Sequence, residues 1–343
     1  METLWFCLVA LMVAVYVVLD GFDLGSGILH LLVARSDRER RSVIGSIGPV
    51  WDGNEVWLLA AGGVMYFAFP ALYASSFSGF YLPLMMVLWL LVLRGLSLEL
   101  RSHVDSGLWQ SFWDVTFGLA STLLAVFFGA ALGNVVRGVP LHPDGFFFLP
   151  LWTNFLPGQD AGILDWYTVS IGGAAFLALV MHGSSWLVLK NNGDLQERAR
   201  LIGRRAWWGV VAFTALITAL SFWVQPHLGE NFTKYPWGYI FPALAIAGLI
   251  GVRLWQSKQA ELLTFLASTA YLCGMLTSAA FGVYPYVLAS NGDPNLGLTV
   301  YNSAAPGYGL SVGLRWWAVG MILAAGYFVF VYRHFAGKVS LDD

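Results

Sequence analysis

Five carboxylates, Asp20, Asp23, Asp52, Glu55 and Glu99, stand inside or at the ends of long apolar runs. A carboxylate at the centre of a membrane helix costs about 2.5–3.5 kcal/mol even on the mildest insertion scale, so five of them call for a use. Asp20 and Asp23 are spaced i, i+3, as are Asp52 and Glu55. Each pair therefore shares a helix face and can point into the interior of a bundle. Arg94 is the obvious counter-charge. Carboxylates crowded in a low dielectric are groups that proteins use to take up and release protons near neutral pH, so the chemistry indicated is proton transfer. The static alternative is an ion-pair network around Arg94 that specifies packing and moves nothing. For Glu55 and for Asp114 there is also a simpler reading, a headgroup-level charge or a helix cap.

The elements that position these groups follow from composition. The 343 residues are 58% hydrophobic and only 11% charged, against roughly 25% charged in a soluble domain, which makes the chain an all-α integral membrane protein. A net charge of −2 leaves no basic surface for nucleic acid. Cys7 and Cys273 lie in apolar runs without metal-ligand spacing and read as packing residues. Met1-Glu2 precedes the first run without a basic n-region, so that helix is expected to remain. Many of the sixteen tryptophans, including Trp5, Trp109, Trp152, Trp166, Trp237 and Trp316, fall at run ends and read as interfacial anchors.

Nine spans are expected: Leu4 to Val33, Val50 to Leu72, Gly79 to Leu100, Phe112 to Val136, Trp166 to Leu189, Ala206 to Val224, Gly238 to Trp255, Glu261 to Leu288 and Leu310 to His334. The first is long for a bilayer, so either it projects into the cytoplasm or the Asp20-Gly-Phe-Asp23-Leu-Gly25 stretch distorts it. Lysines and arginines segregate by connection. Fifteen fall on one side, in the first, third, fifth and seventh connections and the tail, against Arg137, Lys234 and Arg315 on the other. The positive-inside rule then puts the N-terminus outside and the C-terminus in the cytoplasm. The fifth connection, rich in arginine, reads as the hinge between two four-helix bundles, with the ninth helix peripheral. Residues 1–190 hold the first bundle and the opening helix of the second, and residues 191–343 the remainder. This topology gathers the carboxylates of helices 1 to 3 in the cytoplasmic half of one bundle.

Other chemistries find little support. Only His30 and His182 lie within spans, with His334 ending the last one, and none repeats at metal spacing, so polar or interfacial roles are favoured over haem ligation. Met85 and Met86 read as core filler. The Gly25-Ser-Gly27, Gly62-Gly63 and Gly172-Gly173 runs lack a following Lys-Ser/Thr and read as sites of close helix approach, not phosphate loops.

Asp20-Gly-Phe-Asp23-Leu-Gly25, then Gly48-Pro-Val-Trp51-Asp52-Gly53-Asn54-Glu55-Val-Trp57-Leu, then Phe77-Ser-Gly79-Phe80-Tyr81 and Arg94 through Glu99-Leu-Arg101-Ser resemble subunit II of the cytochrome bd oxidases. Gly133-Asn134, Gly138-Val-Pro140, His182-Gly183, Tyr284-Pro285 and Leu298-Thr-Val-Tyr-Asn302 extend the resemblance, in order, over essentially the whole chain. The resemblance implies nine spans, two four-helix bundles plus a peripheral helix, and pairing with a haem-bearing subunit I in the cytoplasmic membrane of a bacterium or archaeon. It implies a quinol:O2 terminal oxidase that draws its protons from the cytoplasm. Haem b and haem d would belong to subunit I, with no cofactor bound directly by this chain. Some members hold a structural quinone or lipid in this subunit, or small single-span accessory subunits beside it. By the same resemblance Asp52 and Glu99 belong to the proton route toward the haems, Glu99 replacing an aspartate of some relatives. Asp23 matches the second aspartate of its motif, and Trp51, Gly53, Asn54 and Trp57 frame Asp52. The Phe146-Phe147-Phe148 run in the 137–165 connection departs from the family pattern.

Two competing functions remain, a proton-coupled secondary transporter and a purely structural scaffold subunit of the oxidase. The topology has its own test. With Cys7 and Cys273 replaced, a cysteine placed between residues 35 and 47 should be labelled by impermeant maleimide only from the cytoplasmic side, and one between 137 and 165 only from outside. The reverse pattern would remove a cytoplasmic source of protons.

Overall fold

The computed structural model describes residues 1–340. The described residues form twelve α-helices: α1 (Glu2–Val33), α2 (Asp37–Ile47), α3 (Trp51–Ala68), α4 (Pro70–Gly79), α5 (Tyr81–Leu100), α6 (Gly107–Arg137), α7 (Trp166–Lys190), α8 (Gly193–Val224), α9 (Leu228–Lys234), α10 (Ile240–Ser257), α11 (Glu261–Val283) and α12 (Gly307–His334). Every residue of α1 from Asp20 to His30 is buried, the pattern of a helix enclosed on all sides and not of one with a single apolar stripe. Helices α3, α6, α7 and α11 enclose it. Helices α1, α3, α5 and α6 make one four-helix group, and α7, α8, α10 and α11 the other, with α1 and α7 packed together between them. On α12 only Leu310 and Val331 are buried, so it is the peripheral helix.

Eight helices are long and apolar enough to cross a membrane. They match eight of the nine expected spans. The exception is the second, where the structure corrects the expected Val50–Leu72 span. Helix α3 has 18 residues and opens on Asp52, Asn54 and Glu55, then stops at Phe69 because Pro70 starts a new helix, α4, at its first position. The Asp20–Gly25 stretch does not distort α1, which runs unbroken for 32 residues. Asp20, Asp23 and His30 find partners on neighbouring helices, so the α1 backbone needs no break.

The fifth connection is also corrected. It contracts to Asn191 and Asn192, because α8 starts at Gly193 and carries Arg198, Arg200, Arg204 and Arg205 on helical turns. Side-chain contacts link this region to α1 and α2. Ser42 Oγ donates to Asn191 Oδ1 at 2.6 Å, and Arg198 Nε donates at 2.6 Å to the Val33 carbonyl at the end of α1 while its guanidinium pairs with Glu39 on α2. Helix α2 itself begins with a capping box between Ser36 and Glu39. Residues following α12 join the same end, Lys338 Nζ donating to the Val188 carbonyl at 2.8 Å and Val339 N to the Lys190 carbonyl at 2.8 Å. At the opposite end Arg137 is buried against Asp165, which caps α7, and donates to Asn134 Oδ1 at 2.7 Å. The eighth span ends at Val283, earlier than expected, and the chain continues as a short antiparallel pair, β1 (Tyr286–Leu288) with β2 (Leu298–Thr299). Trp5, expected in an interfacial belt, is 1% exposed and donates to the Leu310 carbonyl at 3.2 Å, whereas Trp237 and Trp316 are exposed as anchors would be.

The contact between α1 and α7 is backbone on backbone. A Cβ at Gly25 would lie 2.1 Å from the Leu179 carbonyl oxygen, and one at Gly183 would lie 2.4 Å from the Gly25 carbonyl carbon. Small residues permit this approach in membranes, where dispersion contacts replace the hydrophobic drive. Gly183→Val should therefore separate the two groups of helices and cost about 1–3 kcal/mol or more. The expected reading is a lowered thermal midpoint and loss of the assembled protein in detergent, while Gly320→Ala, on the open face of α12, leaves both unchanged.

Candidate functional site

Arg94 is the charge that must be explained first, because its guanidinium is fully buried and cannot lose its proton. It sits on α5, where Arg94 and Ser97 are the buried residues, so this helix reaches inward mainly through that arginine. Arg94 Nη1 donates to Asp20 Oδ2 of α1 at 2.9 Å, and its Nη2 makes an ion-pair contact with Asp20 Oδ1 at 2.7 Å. Its Nη2 also donates to Glu55 Oε2 of α3 at 2.8 Å. One guanidinium thus joins three helices, and its hydrogen bonds are charge-assisted. Asp20 is fully buried, whereas the Glu55 side chain keeps 22% of its surface open.

Asp23, one turn further along α1, belongs to a neighbouring chain of contacts. Asn54 Nδ2 donates to Asp23 Oδ2 at 2.7 Å and to the Leu19 carbonyl at 3.3 Å, and the Tyr332 hydroxyl of α12 donates to Asn54 Oδ1 at 2.8 Å. The acceptors around Nδ2 and the hydroxyl at Oδ1 together set the orientation of the amide. The motifs gave no hint of Tyr332, which lies in the last turn of an otherwise lipid-like helix.

The other motif residues occupy the same end of α3 and α5. Asp52 and Glu99 are both exposed on this chain. The expectation that Asp52 and Glu55 point together into the interior is corrected: Glu55 turns onto Arg94 while Asp52 faces out. The Glu99 carbonyl, not its carboxylate, meets the His103 ring at 2.8 Å. Trp51 brings the two helices together, for a Cβ at Gly95 would lie 3.4 Å from its ring. Gly53 lies under Tyr327 of α12 at a distance that would leave a Cβ 3.6 Å from that ring. Trp57 packs at 5.7 Å from Phe328, its buried indole nitrogen without a partner.

A second buried cluster lies nearer the α2 end. Asp114, expected as a cap or surface charge, is 1% exposed and sits two turns into α6. His30 Nε2 approaches its Oδ1 at 2.7 Å, Arg40 Nη1 its Oδ2 at 3.0 Å, and Arg101 grips both oxygens. The reading as a cap fails because α6 begins seven residues earlier, which moves Asp114 inward beside α1. Arg101 also donates to Asp37 at 2.8 Å and holds that carboxyl below the usual carboxylate range. A signal was available: His30 lies seven residues after Asp23, hence on the same face of α1.

Hydrogen bonds occupy ring nitrogens of both buried histidines. Both ring nitrogens of His182 are used, Nδ1 with Ser268 Oγ at 2.8 Å and Nε2 with the Val18 carbonyl at 2.9 Å, and His30 spends Nε2 on Asp114. Among the described residues no group of three or more His, Cys, Asp and Glu converges as a metal site would. A surface cavity of about 390 Å³ at the opposite end, lined by Ser75, His142, Asp144, Phe146 and Asn302, is separate from the carboxylates.

Residues 1–335 match the sequence family described as cytochrome bd terminal oxidase subunit II. The chain belongs to that family. It is 30% identical to the probable cytochrome oxidase subunit 2 of Haemophilus influenzae, over 99% of this chain and 95% of that one. It is 28% identical to the cytochrome bd-I ubiquinol oxidase subunit 2 of Escherichia coli K12 over the same shares, and 30% identical to the cytochrome bd ubiquinol oxidase subunit 2 of Bacillus subtilis over 91% and 89%. A chain of the bd oxidase from Geobacillus thermodenitrificans shares the fold, with a TM-score of 0.76 and 17% identity over 97% and 98% of the two chains. The chain is thus a subunit of a respiratory oxidoreductase of the cytochrome bd type.

Removing one partner of a buried ion pair leaves the other charge uncompensated, at about 3–5 kcal/mol. Arg94→Gln should accordingly reduce the amount of assembled subunit sharply. Arg94→Lys should restore little of it, since an ammonium lacks the fork that spans Asp20 and Glu55. Combining Arg94→Gln with Asp20→Asn should recover part of the loss, and quantitative immunoblotting of membranes measures all three.

Proposed function

We propose that this subunit supports a haem-bearing subunit I and feeds it protons from the cytoplasm for the reduction of O2 to water. The observation that carries the reading is a graded series of carboxylates at one end of the first helix group. Asp52 and Glu99 are exposed on adjacent helices, Glu55, one turn from Asp52, is partly open, and Asp20 and Asp23 are fully enclosed behind it. Exposed carboxylates on faces that are otherwise apolar, with Val56, Leu59, Trp89 and Leu96 nearby in sequence, suit a surface that a second membrane subunit covers. The haems of the oxidase would then be ligated by that partner, a reading supported by His182, whose two ring nitrogens are both occupied, and by His30, whose Nε2 is held by Asp114. The segregation of lysine and arginine supports a cytoplasmic location for the α2 end, with the N-terminus outside. The relatives from Escherichia coli and Bacillus subtilis are named as ubiquinol oxidase subunits, which favours quinol as electron donor for the complex and favours an oxidase over a secondary transporter.

The scaffold reading draws on the Arg94 fork, so the test must separate assembly from turnover. Asp52→Asn keeps the shape and most of the hydrogen bonding of the side chain and removes its proton. In complexes purified with subunit I, haem content should stay at the wild-type level while O2 consumption falls about tenfold or more. Glu99→Gln should act in the same direction. Wild-type turnover in fully assembled Asp52→Asn protein would eliminate Asp52 as an obligatory carrier, and loss of haem content in step with activity would favour the scaffold.

A further inference from the structure

Between the Arg94 centre and the His30–Asp114 cluster, α1 and α6 carry a seam of buried polar atoms with no hydrogen-bond partner in the protein. They are Asp23 Oδ1, Ser26 Oγ and His30 Nδ1 on α1 and Ser121 Oγ on α6. All four side chains are at most 1% exposed. Asp23 and His30 are two helical turns apart, about 10 Å along the axis, and Gly27 stands between them on the same face. The missing side chain at Gly27 is what admits α6: a Cβ there would lie 2.0 Å from Ser121 Oγ and 3.0 Å from the Phe117 ring. Buried polar atoms without partners are rare in native proteins, and a polar seam that collects four of them within two turns is where bridging water is found.

We propose that ordered water beside the Gly27–Ser121 contact links the Asp23 carboxylate to the His30–Asp114 pair, giving the subunit an internal proton route separate from Asp52 and Glu99. The role in proton transfer rests on the function proposed above, while the hydration does not. The seam has a polar terminus at each end. On one side Asp114 meets Arg40, whose side chain is 30% exposed, and on the other Asp23 meets Asn54 and Tyr332. A proton moves along such a chain by hopping: as each O–H bond forms ahead another breaks behind, so one proton enters at the His30 end for each one delivered at Asp23. The charge of the chain is unchanged after each transfer and no other reactant is consumed.

Valine and threonine at position 121 have nearly the same shape and differ in the hydroxyl, which separates bulk from hydrogen bonding. In the complex purified with subunit I, electron cryomicroscopy at a resolution that shows ordered water should place density within hydrogen-bond reach of Ser121 Oγ and of at least one of Asp23 Oδ1, Ser26 Oγ and His30 Nδ1. Ser121→Val should lower O2 consumption severalfold at unchanged haem content, and Ser121→Thr should retain most of it. Should the added bulk prevent assembly of both, Ser121→Ala supplies the same comparison without added volume and should again lower turnover. A dry seam in the wild-type complex overturns the proposal. Equal turnover of the valine and threonine variants, or wild-type turnover of Ser121→Ala where those two fail to assemble, overturns the proton route. Asp52→Asn measured beside them distinguishes the two ideas: a loss there with no effect at Ser121 leaves the Asp52 route standing and removes this one, and the converse removes Asp52 alone.

Discussion

One guanidinium in the wrong solvent organises this protein. Arg94 is buried among membrane helices, carries a charge that it cannot shed, and must be neutralised where it stands. Asp20 and Glu55 do so from two other helices, and that requirement fixes the relative height and rotation of α1, α3 and α5 more tightly than apolar packing would. Side chains of similar volume are interchangeable in a lipid-like core, whereas a charge fork has one geometry. Helix α5 illustrates the point. Its long face is open, and it is anchored inward through Arg94 and Ser97.

The same economy explains why α1 tolerates so many polar residues. It is the most enclosed helix of the first group, and its ionisable positions are met by neighbours: Asp20 by α5, Asp23 by α3 and His30 by α6, while His182 of α7 meets the Val18 carbonyl. A helix surrounded by helices pays for its carboxylates with their partners and does not expose them to lipid. Peripheral α12 joins this core through polar contacts near its ends, at Leu310 with Trp5 and at Tyr332 with Asn54.

Much of this was legible in the sequence. Length and hydropathy locate eight of the spans, because a bilayer imposes its thickness on any helix that crosses it. The motif around Asp52 and the lone Arg94 pointed to the charged centre, since a charge in an apolar run has few permitted partners. Four things were hidden. The break at Phe69 and Pro70 was masked by uniformly apolar flanks, and the arginine-rich start of α8 looked like a loop because a helix that continues past the membrane changes composition without changing conformation. Asp114 was misjudged for a related reason: with the start of α6 placed five residues late, a buried carboxylate looked terminal. Tyr332 could not have been found by spacing at all, for its partner lies 278 residues away.

The glycine contact between α1 and α7 bears on how the subunit can work at all. At Gly25 and Gly183 two main chains touch with no side chains to act as a sliding layer, and α1 is at the same time bolted to α5 and α6 by its charges. Carriers that rock one half against the other need a lubricated joint at their centre, and here the centre is welded. Under the proposed function such a joint makes the subunit a stator, through which protons would be handed from group to group within a body that holds still.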